Sequence, residues 1–179
     1  MIAPDAFAAL LCDYCLEVRP GQQVVVRSST LASPLVLALQ RSLLEREAWP
    51  LLRVALPGQE EAFWSSARAA QLDNYAPMEL AEAEGTDASL SIHAPDNTRA
   101  LSGVDPSLLT RAARARAPVR EASFARRWCV SVWPTPALAQ EAGMSTEAFG
   151  SFLSRALFLD RPDPAAAWAE LADSQAQLI

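Results

Sequence analysis

The sequence of 179 residues contains no lysine, and all fifteen of its basic residues are arginines. Without lysine the chain cannot form a Schiff base, use a lysine as general base or supply the lysine of a phosphate-binding P-loop. Twenty-one acidic residues outnumber the arginines and give a net charge of −6. A chain with this acidic balance is not expected to have nucleic acid as its main partner.

Histidine and glycine are also scarce. His93 is the only histidine, so the chain offers no recognisable catalytic triad and cannot build a histidine-rich metal site. The six glycines are scattered, and no G-x-G-x-x-G pattern follows the first predicted strand. We therefore interpret His93 as a structural residue and expect no dinucleotide site.

The three cysteines are too few for a disulfide framework. Cys12 and Cys15 have the C-x-x-C spacing of redox thiols and zinc ligands, and Cys129 lies far away in the sequence. A redox pair sits at the N-terminus of its helix, whereas the helical periodicity of residues 5–18 places this pair in mid-helix. A zinc site needs four ligands, which the chain does not offer. We interpret Cys12 and Cys15 as packing residues.

The sequence also lacks long apolar runs. No stretch approaches the roughly 20 residues of a membrane-spanning helix, and the N-terminal segment has no basic region typical of a signal peptide. We expect a cytoplasmic protein without a membrane partner.

Strand and helix patterns alternate along the first half of the chain. Residues 23–29, 50–56 and 88–94 read as strands with helical stretches between them, and residues 128–134 read as a fourth strand. This β-α-β-α-β order predicts an α/β fold, with a small parallel or mostly parallel sheet of about four strands flanked by helices.

Helix caps can be assigned from short polar motifs. Ser33 precedes Pro34, and Asp105, Ser145 and Asp163 stand at similar positions, so each is predicted to be an N-cap. The last two of these helices add a helical segment over residues 144–179 to what we expect to be a single domain, 1–179.

Six arginines cluster between residues 111 and 127 with one acidic residue, Glu121. Such a cluster could bind phosphate or RNA. In a chain without lysine, however, every basic surface consists of arginine. We favour a solvated face whose arginines pair with acids elsewhere, and a polyanion-binding function stays the weakest of the hypotheses.

Three long stretches resemble one family: Leu11–Leu39, Ile92–Pro106 and, above all, Arg126–Pro164. They are similar to the N-terminal domain of the thermophilic metalloaminopeptidases of the aminopeptidase T and aminopeptidase S type. The resemblance covers essentially the whole chain. It implies a two-domain enzyme, usually a homodimer, that removes N-terminal residues from peptides.

The resemblance also implies where the chemistry lies. In this family a C-terminal domain holds two divalent metals (Zn, Co or Mn) through Glu, His, Asp and Tyr residues, and the metals activate water. The first metal-binding glutamate belongs to a Gly-Glu-Val-Phe-type segment, and nothing like it occurs in this chain. We expect no catalytic residue, no metal ligand and no bound cofactor here, and an isolated chain that is inactive.

As an N-terminal domain, the chain would pack against the catalytic domain, to which the 144–179 helical segment leads. It would help to enclose the peptide substrate or to shape the dimer. The polar loop after the third strand lies at the carboxyl edge of the sheet, where ligands usually bind. The candidates to face the substrate cavity are Asn97, Arg99, Thr135 and Gln140. Arg99 could bind a peptide carboxylate with two hydrogen bonds. Each of these residues could equally stabilise its own loop.

A second hypothesis is a free-standing binding or regulatory module with the same fold. The last helix reaches Ile179 without a stop signal, which both hypotheses allow. If the catalytic domain is missing, apolar surface should be exposed at Trp168, Leu171 and Leu178.

Overall fold

Four parallel strands form one sheet in the computed structural model, which describes residues 2–177. The order is β2-β1-β3-β4. This confirms the predicted α/β class. The strands are β1 (Gln23–Ser29), β2 (Trp49–Ala55), β3 (Ala88–His93) and β4 (Arg127–Val132).

Helices connect the strands and extend beyond the last one. The first helix, α1, continues as a π-helical turn over Leu11–Cys15, and a 3₁₀ turn, Thr30–Ala32, precedes α2. The α-helices are α1 (Pro4–Leu10), α2 (Ser33–Glu45), α3 (Gln59–Ser66), α4 (Ala69–Leu72), α5 (Pro77–Gly85), α6 (Pro106–Ala115), α7 (Ala117–Phe124), α8 (Pro136–Glu141), α9 (Thr146–Ala156) and α10 (Pro164–Ala176).

The strand β1 lies at the centre of the sheet because its β-branched residues fit a strand that is covered on both faces. Val24, Val25 and Val26 are completely buried. Val24 and Val26 belong to a hydrophobic cluster with α1, α2 and α9 on one face, which we call the core face. Val25 points to the opposite face, because side chains alternate along a strand.

The core face carries most of the large buried side chains. Phe7 and Leu11 come from the first helix, Leu39 and Leu43 from α2, and Leu153 from α9. Complete burial of such a side chain contributes about 2 kcal/mol to stability. The apolar spacing read from the sequence therefore corresponds to real packing against the sheet.

The opposite face is held by a charged network. The carboxylate of Glu82 on α5 accepts a hydrogen bond of 2.6 Å from Arg27 of β1 and another of 2.6 Å from Arg53 of β2. Glu82 is largely buried, whereas both arginines are partly exposed. One carboxylate thus ties a helix to two neighbouring strands.

The predicted cap at Ser33 is wrong. Helical backbone begins earlier, since β1 runs into the 3₁₀ turn, and the Ser29 hydroxyl accepts a hydrogen bond from the Leu31 N–H. Ser33 is the first residue of α2, and its hydroxyl donates to the Thr30 carbonyl.

The other three predicted caps are present. Asp105 accepts from the Ser107 N–H, and Ser145 accepts from the Ala148 N–H. Asp163 accepts from the Ala166 N–H.

The last helix is only partly packed. The indole N–H of Trp168 donates to the Leu157 carbonyl at 3.2 Å, and the Trp168 ring is half-buried beside Phe158. Every residue from 169 to 177, including Leu171, is exposed. Leu178 lies outside the described residues. The role of residues 144–179 as a connection to another domain stays a prediction.

Among residues 2–177, no helix combines the length and the apolar character needed to cross a membrane.

We predict that Glu82→Ala lowers the free energy of unfolding by about 2 kcal/mol, because it leaves Arg27 and Arg53 side by side without their shared carboxylate. Urea denaturation at neutral pH measures this. Glu84→Ala, an exposed substitution on the same helix, serves as the control and should change stability by less than about 0.5 kcal/mol. Equal effects of the two substitutions would contradict the assigned role of Glu82.

Candidate functional site

The carboxyl edge of the sheet contains a topological switch point. The chain leaves β1 towards β2 on one side, and β3 lies on the other side of β1. Crevices for ligands form at such points in open α/β sheets. Here, beyond the last β1–β3 pair, the Ser28 hydroxyl donates to the Ile92 carbonyl at 3.0 Å and the Ser29 hydroxyl donates to the Ala94 carbonyl. Two serine side chains therefore take over the hydrogen bonding between β1 and β3 at the point where the two backbones move apart.

A cleft with a volume of about 360 Å³ opens above these serines. Gly58, whose φ of +77° favours glycine, forms the turn that leads from β2 into α3 at one wall of the cleft. The polar residues of the walls are Ser28, Ser29, Gln59, Glu60, Glu61, His93, Asp96 and Asn97. The sequence places the 95–106 loop directly after β3, at the edge where ligands usually bind. The cleft lies at that edge, and residues 95–97 line it.

The cleft is anionic and has no activated nucleophile. Its charged side chains are the carboxylates of Glu60, Glu61 and Asp96, and no arginine lines it. Ser28 and Ser29 donate their hydroxyl protons to carbonyl groups, so neither is paired with a base. Within residues 2–177, no three His, Cys, Asp or Glu side chains are grouped so that they could hold a metal ion. The cleft can attract cations and form hydrogen bonds, but it does not assemble a hydrolytic site.

The loop after β3 is held against α8 by Glu141. The Thr98 hydroxyl donates to Glu141 Oε1 at 2.8 Å, and Arg99 Nε lies 3.5 Å from the same oxygen. The Asn97 side-chain oxygen accepts from the Arg99 N–H at 2.9 Å, which shapes the turn. The hydrogen bond from Thr98, followed by the charge of Arg99, lowers the pKa of Glu141 from its ordinary value.

The four candidate cavity residues lie near this contact but in different environments. Asn97 lines the cleft and Arg99 is 78% exposed, while Gln140 is exposed on α8 next to Glu141. Thr135 is buried, and its hydroxyl accepts from the Leu138 N–H at 3.3 Å as the N-cap of α8. Their proposed contact with substrate stays a prediction for all four.

Three residues that shape this region were not predicted from the sequence. Ser28 and Ser29 could have been found, because they end a predicted strand at the edge where ligands bind. Glu141 could not, since its importance depends on contacts with residues 98 and 99, more than 40 positions away along the chain.

The cysteines pack as the sequence suggests. Cys12 is completely buried in the π-helical turn, and burial raises the pKa of its thiol. The neighbour of Cys15 is Cys129 of β4: the interaction between the two thiols raises the pKa of Cys15 and lowers the pKa of Cys129. The raised pKa of Cys12 and Cys15 is the opposite of what nucleophilic cysteines need.

Three of the six arginines in the cluster are paired with acids from other elements. Arg111 forms a two-pronged contact with Asp73, Arg116 approaches Glu79 at 3.5 Å, and Arg127 approaches Glu17 at 3.0 Å. The contact with Arg111 lowers the pKa of Asp73. The cluster is therefore not a continuous free cationic surface.

Comparisons with known proteins agree on one family. The family model described as "thermophilic metalloprotease (M29)" matches residues 4–179. Aminopeptidase 2 of Geobacillus stearothermophilus is 34% identical over 197 aligned positions, which cover 98% of this chain and 46% of that protein. The structure of wild-type AmpT from Thermus thermophilus matches with a TM-score of 0.69 at 25% identity, covering 93% of this chain and 45% of AmpT. The chain thus spans about half the length of these relatives.

We predict that Glu141→Ala increases amide hydrogen exchange across residues 95–105, because it removes the acceptor for Thr98 and the charge beside Arg99. Glu121→Ala, an exposed substitution on α7, should leave this exchange unchanged.

The same contact should depend on pH. Since the folded-state pKa of Glu141 is lowered, its stabilising effect is complete above the ordinary value of 4.5 and is lost as the pH falls through the lowered pKa. Protection of the loop should therefore fall in acid for the native chain but not for Glu141→Gln. Identical acid profiles would refute the contact.

Proposed function

Because the chain belongs to the M29 family of thermophilic metalloproteases, we propose that it is the non-catalytic N-terminal domain of a metal-dependent aminopeptidase that removes N-terminal residues from peptides. The observation that carries the proposal is the absence, within residues 2–177, of any His, Cys, Asp and Glu grouping fit for a metal ion. The match of this chain to about half of each relative supports it.

The described residues do not fit the metals that the family implies. The imidazole of His93 is exposed at the end of β3, and the carboxylates of the cleft do not converge with it on one point. Two-metal hydrolysis requires several such ligands around two cations about 4 Å apart. We therefore assign no hydrolytic step to these residues and place the two divalent cations (Zn, Co or Mn) in a separate catalytic domain.

In this proposal the chain contributes shape and polar contacts to the substrate cavity. Asn97, Arg99 and Gln140 supply donors and acceptors at the carboxyl edge of the sheet, and Glu141 holds their two segments together. The exposed guanidinium of Arg99 is suited to a peptide carboxylate, which it can bind with two parallel hydrogen bonds. Thr135 acts indirectly, since its buried hydroxyl begins α8.

The catalytic domain is the proposed main partner. The exposed residues of α10, among them Leu171, offer it apolar contact area. We place the whole enzyme in the cytoplasm, in keeping with the absence of stabilising disulfides among Cys12, Cys15 and Cys129.

We predict that the isolated chain neither hydrolyses leucyl anilides nor binds the metals. A ligand at 100 times its dissociation constant would stabilise the fold by about 2.7 kcal/mol, so thermal melting with Zn, Co or Mn is a sensitive measurement. We expect no increase in Tm and no turnover from this chain, and metal-dependent turnover from a family-length protein that carries it. Metal-dependent turnover by the chain alone would overturn the proposal.

In a family-length protein, Arg99→Ala should raise KM for short peptides with a free carboxylate about tenfold and leave kcat nearly unchanged, because it removes binding rather than chemistry. Arg99→Lys should give an intermediate KM, since lysine keeps the charge but not the planar fork. The control is Arg155→Ala, an exposed substitution on α9. A KM unaffected by Arg99→Ala would remove Arg99 from the cavity.

A further inference from the structure

Two of the three cysteines meet in space. Cys15 ends the π-helical turn that continues the first helix, and Cys129 lies in the middle of β4. Cys129 pairs with Leu90 of β3, so its side chain lies on the core face. The two thiols are direct neighbours, although more than 100 positions separate them along the chain. Both cysteines are free and only half-buried, so small oxidants in solution have access to them.

Contacts that involve neither thiol hold the two segments together. Arg127 lies two residues before Cys129 and shares its face of β4. Its guanidinium donates to the Leu16 carbonyl at 2.9 Å and lies 3.0 Å from the carboxylate of Glu17. Leu16 directly follows Cys15. The two thiols therefore stay close because the backbone segments that carry them are joined.

The third cysteine differs from this pair. Cys12 lies three residues before Cys15 and is completely buried, and burial raises the pKa of its thiol. Within the pair, the interaction with the Cys15 thiol lowers the pKa of Cys129. The thiolate is the form of cysteine that reacts with oxidants. We therefore expect oxidation to begin at Cys129, with Cys15 in position to react next and with Cys12 left as a thiol.

We propose that Cys15 and Cys129 are a modification site, at which hydrogen peroxide converts the two thiols into a reversible disulfide that ties the first helix to β4. A disulfide that forms and is reduced again in this way senses the redox state of its surroundings. The inference does not depend on the proposed peptide hydrolysis, and its test measures oxidation and stability only.

The oxidation proceeds in two steps. The Cys129 thiolate attacks one peroxide oxygen, the O–O bond breaks, and hydroxide leaves as a sulfenic acid forms. The Cys15 sulfur then attacks the Cys129 sulfur: the S–S bond forms, the S–O bond breaks, and water leaves with the proton of the Cys15 thiol. Two thiols and one peroxide thus give one disulfide and two waters, and the sulfurs lose the two electrons that the peroxide gains. A dithiol such as dithiothreitol reverses the oxidation by exchange.

Peptide mapping of the whole chain tests the proposal. Because the chain has no lysine, trypsin cleaves it only after arginines that no proline follows. Residues 1–27 then form one peptide, which carries the first two cysteines, and residues 128–155 form another, which carries the third. After treatment of the folded chain with hydrogen peroxide, mass spectrometry should find these two peptides joined, and dithiothreitol should separate them.

The same measurement can overturn the proposal. Fragmentation of the joined peptides between residues 12 and 15 identifies the bridged cysteine. Three thiols that can still be alkylated after peroxide treatment, a bridge to Cys12, or a bridge between two chains would each be incompatible with the site. Unfolding in urea before peroxide is added should lower the yield of the bridge, because folding brings the two thiols together. Equal yields from folded and unfolded chains would also overturn the proposal.

Two matched variants on the first helix test which cysteines react. Cys15→Ala should abolish the joined peptides, whereas Cys12→Ala, three residues away, should give them at the yield of the native chain. Circular dichroism establishes that both variants are folded, and the fragmentation pattern of the native chain decides the assignment if one of them is not. A bridge that persists in Cys15→Ala, or is lost from folded Cys12→Ala, contradicts the assigned pair.

The disulfide should also stabilise the fold. It closes a loop of more than 100 residues that contains β1, β2 and β3, and so restricts the unfolded chain. We expect oxidation to raise the Tm of the native chain by about 10 °C and to leave the Tm of Cys129→Ala unchanged. The variant controls for oxidation of other residues. An oxidised native chain that melts no higher than the reduced one, or an equal rise in Cys129→Ala, contradicts a covalent tie between the first helix and β4.

Discussion

Parallel pairing of β1 on both of its sides is the constraint on which the rest of the structure depends. Val24, Val25 and Val26 are shielded completely, and the backbone groups of β1 bond to β2 on one side and to β3 on the other. Parallel neighbours need crossover connections, and right-handed crossovers in opposite directions put helices on both faces. The same geometry brings all four carboxyl ends to one edge. The cleft, the serine contacts and the loop around Asn97 lie there for that reason.

The arginines of this lysine-free chain form contacts between elements that lysines could not form. Arg46 donates to both oxygens of Asp13 and to the hydroxyl and carbonyl of Ser42. Arg127 contacts Glu17 and the Leu16 carbonyl, so it joins β4 to the end of the first helix. A lysine has one compact charged group and could not make such forked contacts. Arginine therefore links distant elements here, which explains why a cluster of arginines does not amount to a polyanion site.

Features of the fold could be predicted from the sequence where they depend on contacts between residues a few positions apart in the chain. The bounds of β1 and three helix caps were predictable because β-branched runs and cap residues act over a few positions. The cap at Ser33 was predicted wrongly, since the hydrogen bond of Ser29 to Leu31 moves the helical start upstream. The contacts of Glu82 and Glu141, and the proximity of Cys15 to Cys129, join residues far apart in the chain and depend on strand order. No local pattern encodes them.

The two faces of the sheet differ in how they gain stability. The core face has a contiguous cluster formed by α1, α2 and α9. On the opposite face, α5 and α6 bury one alanine each, and α3 and α7 bury no residue completely. A layer with little apolar burial opens locally at lower free energy than the core. The hydrogen bonds that Glu82 accepts from β1 and β2 add stability at one end of this layer. They do not reach β4 at the other end.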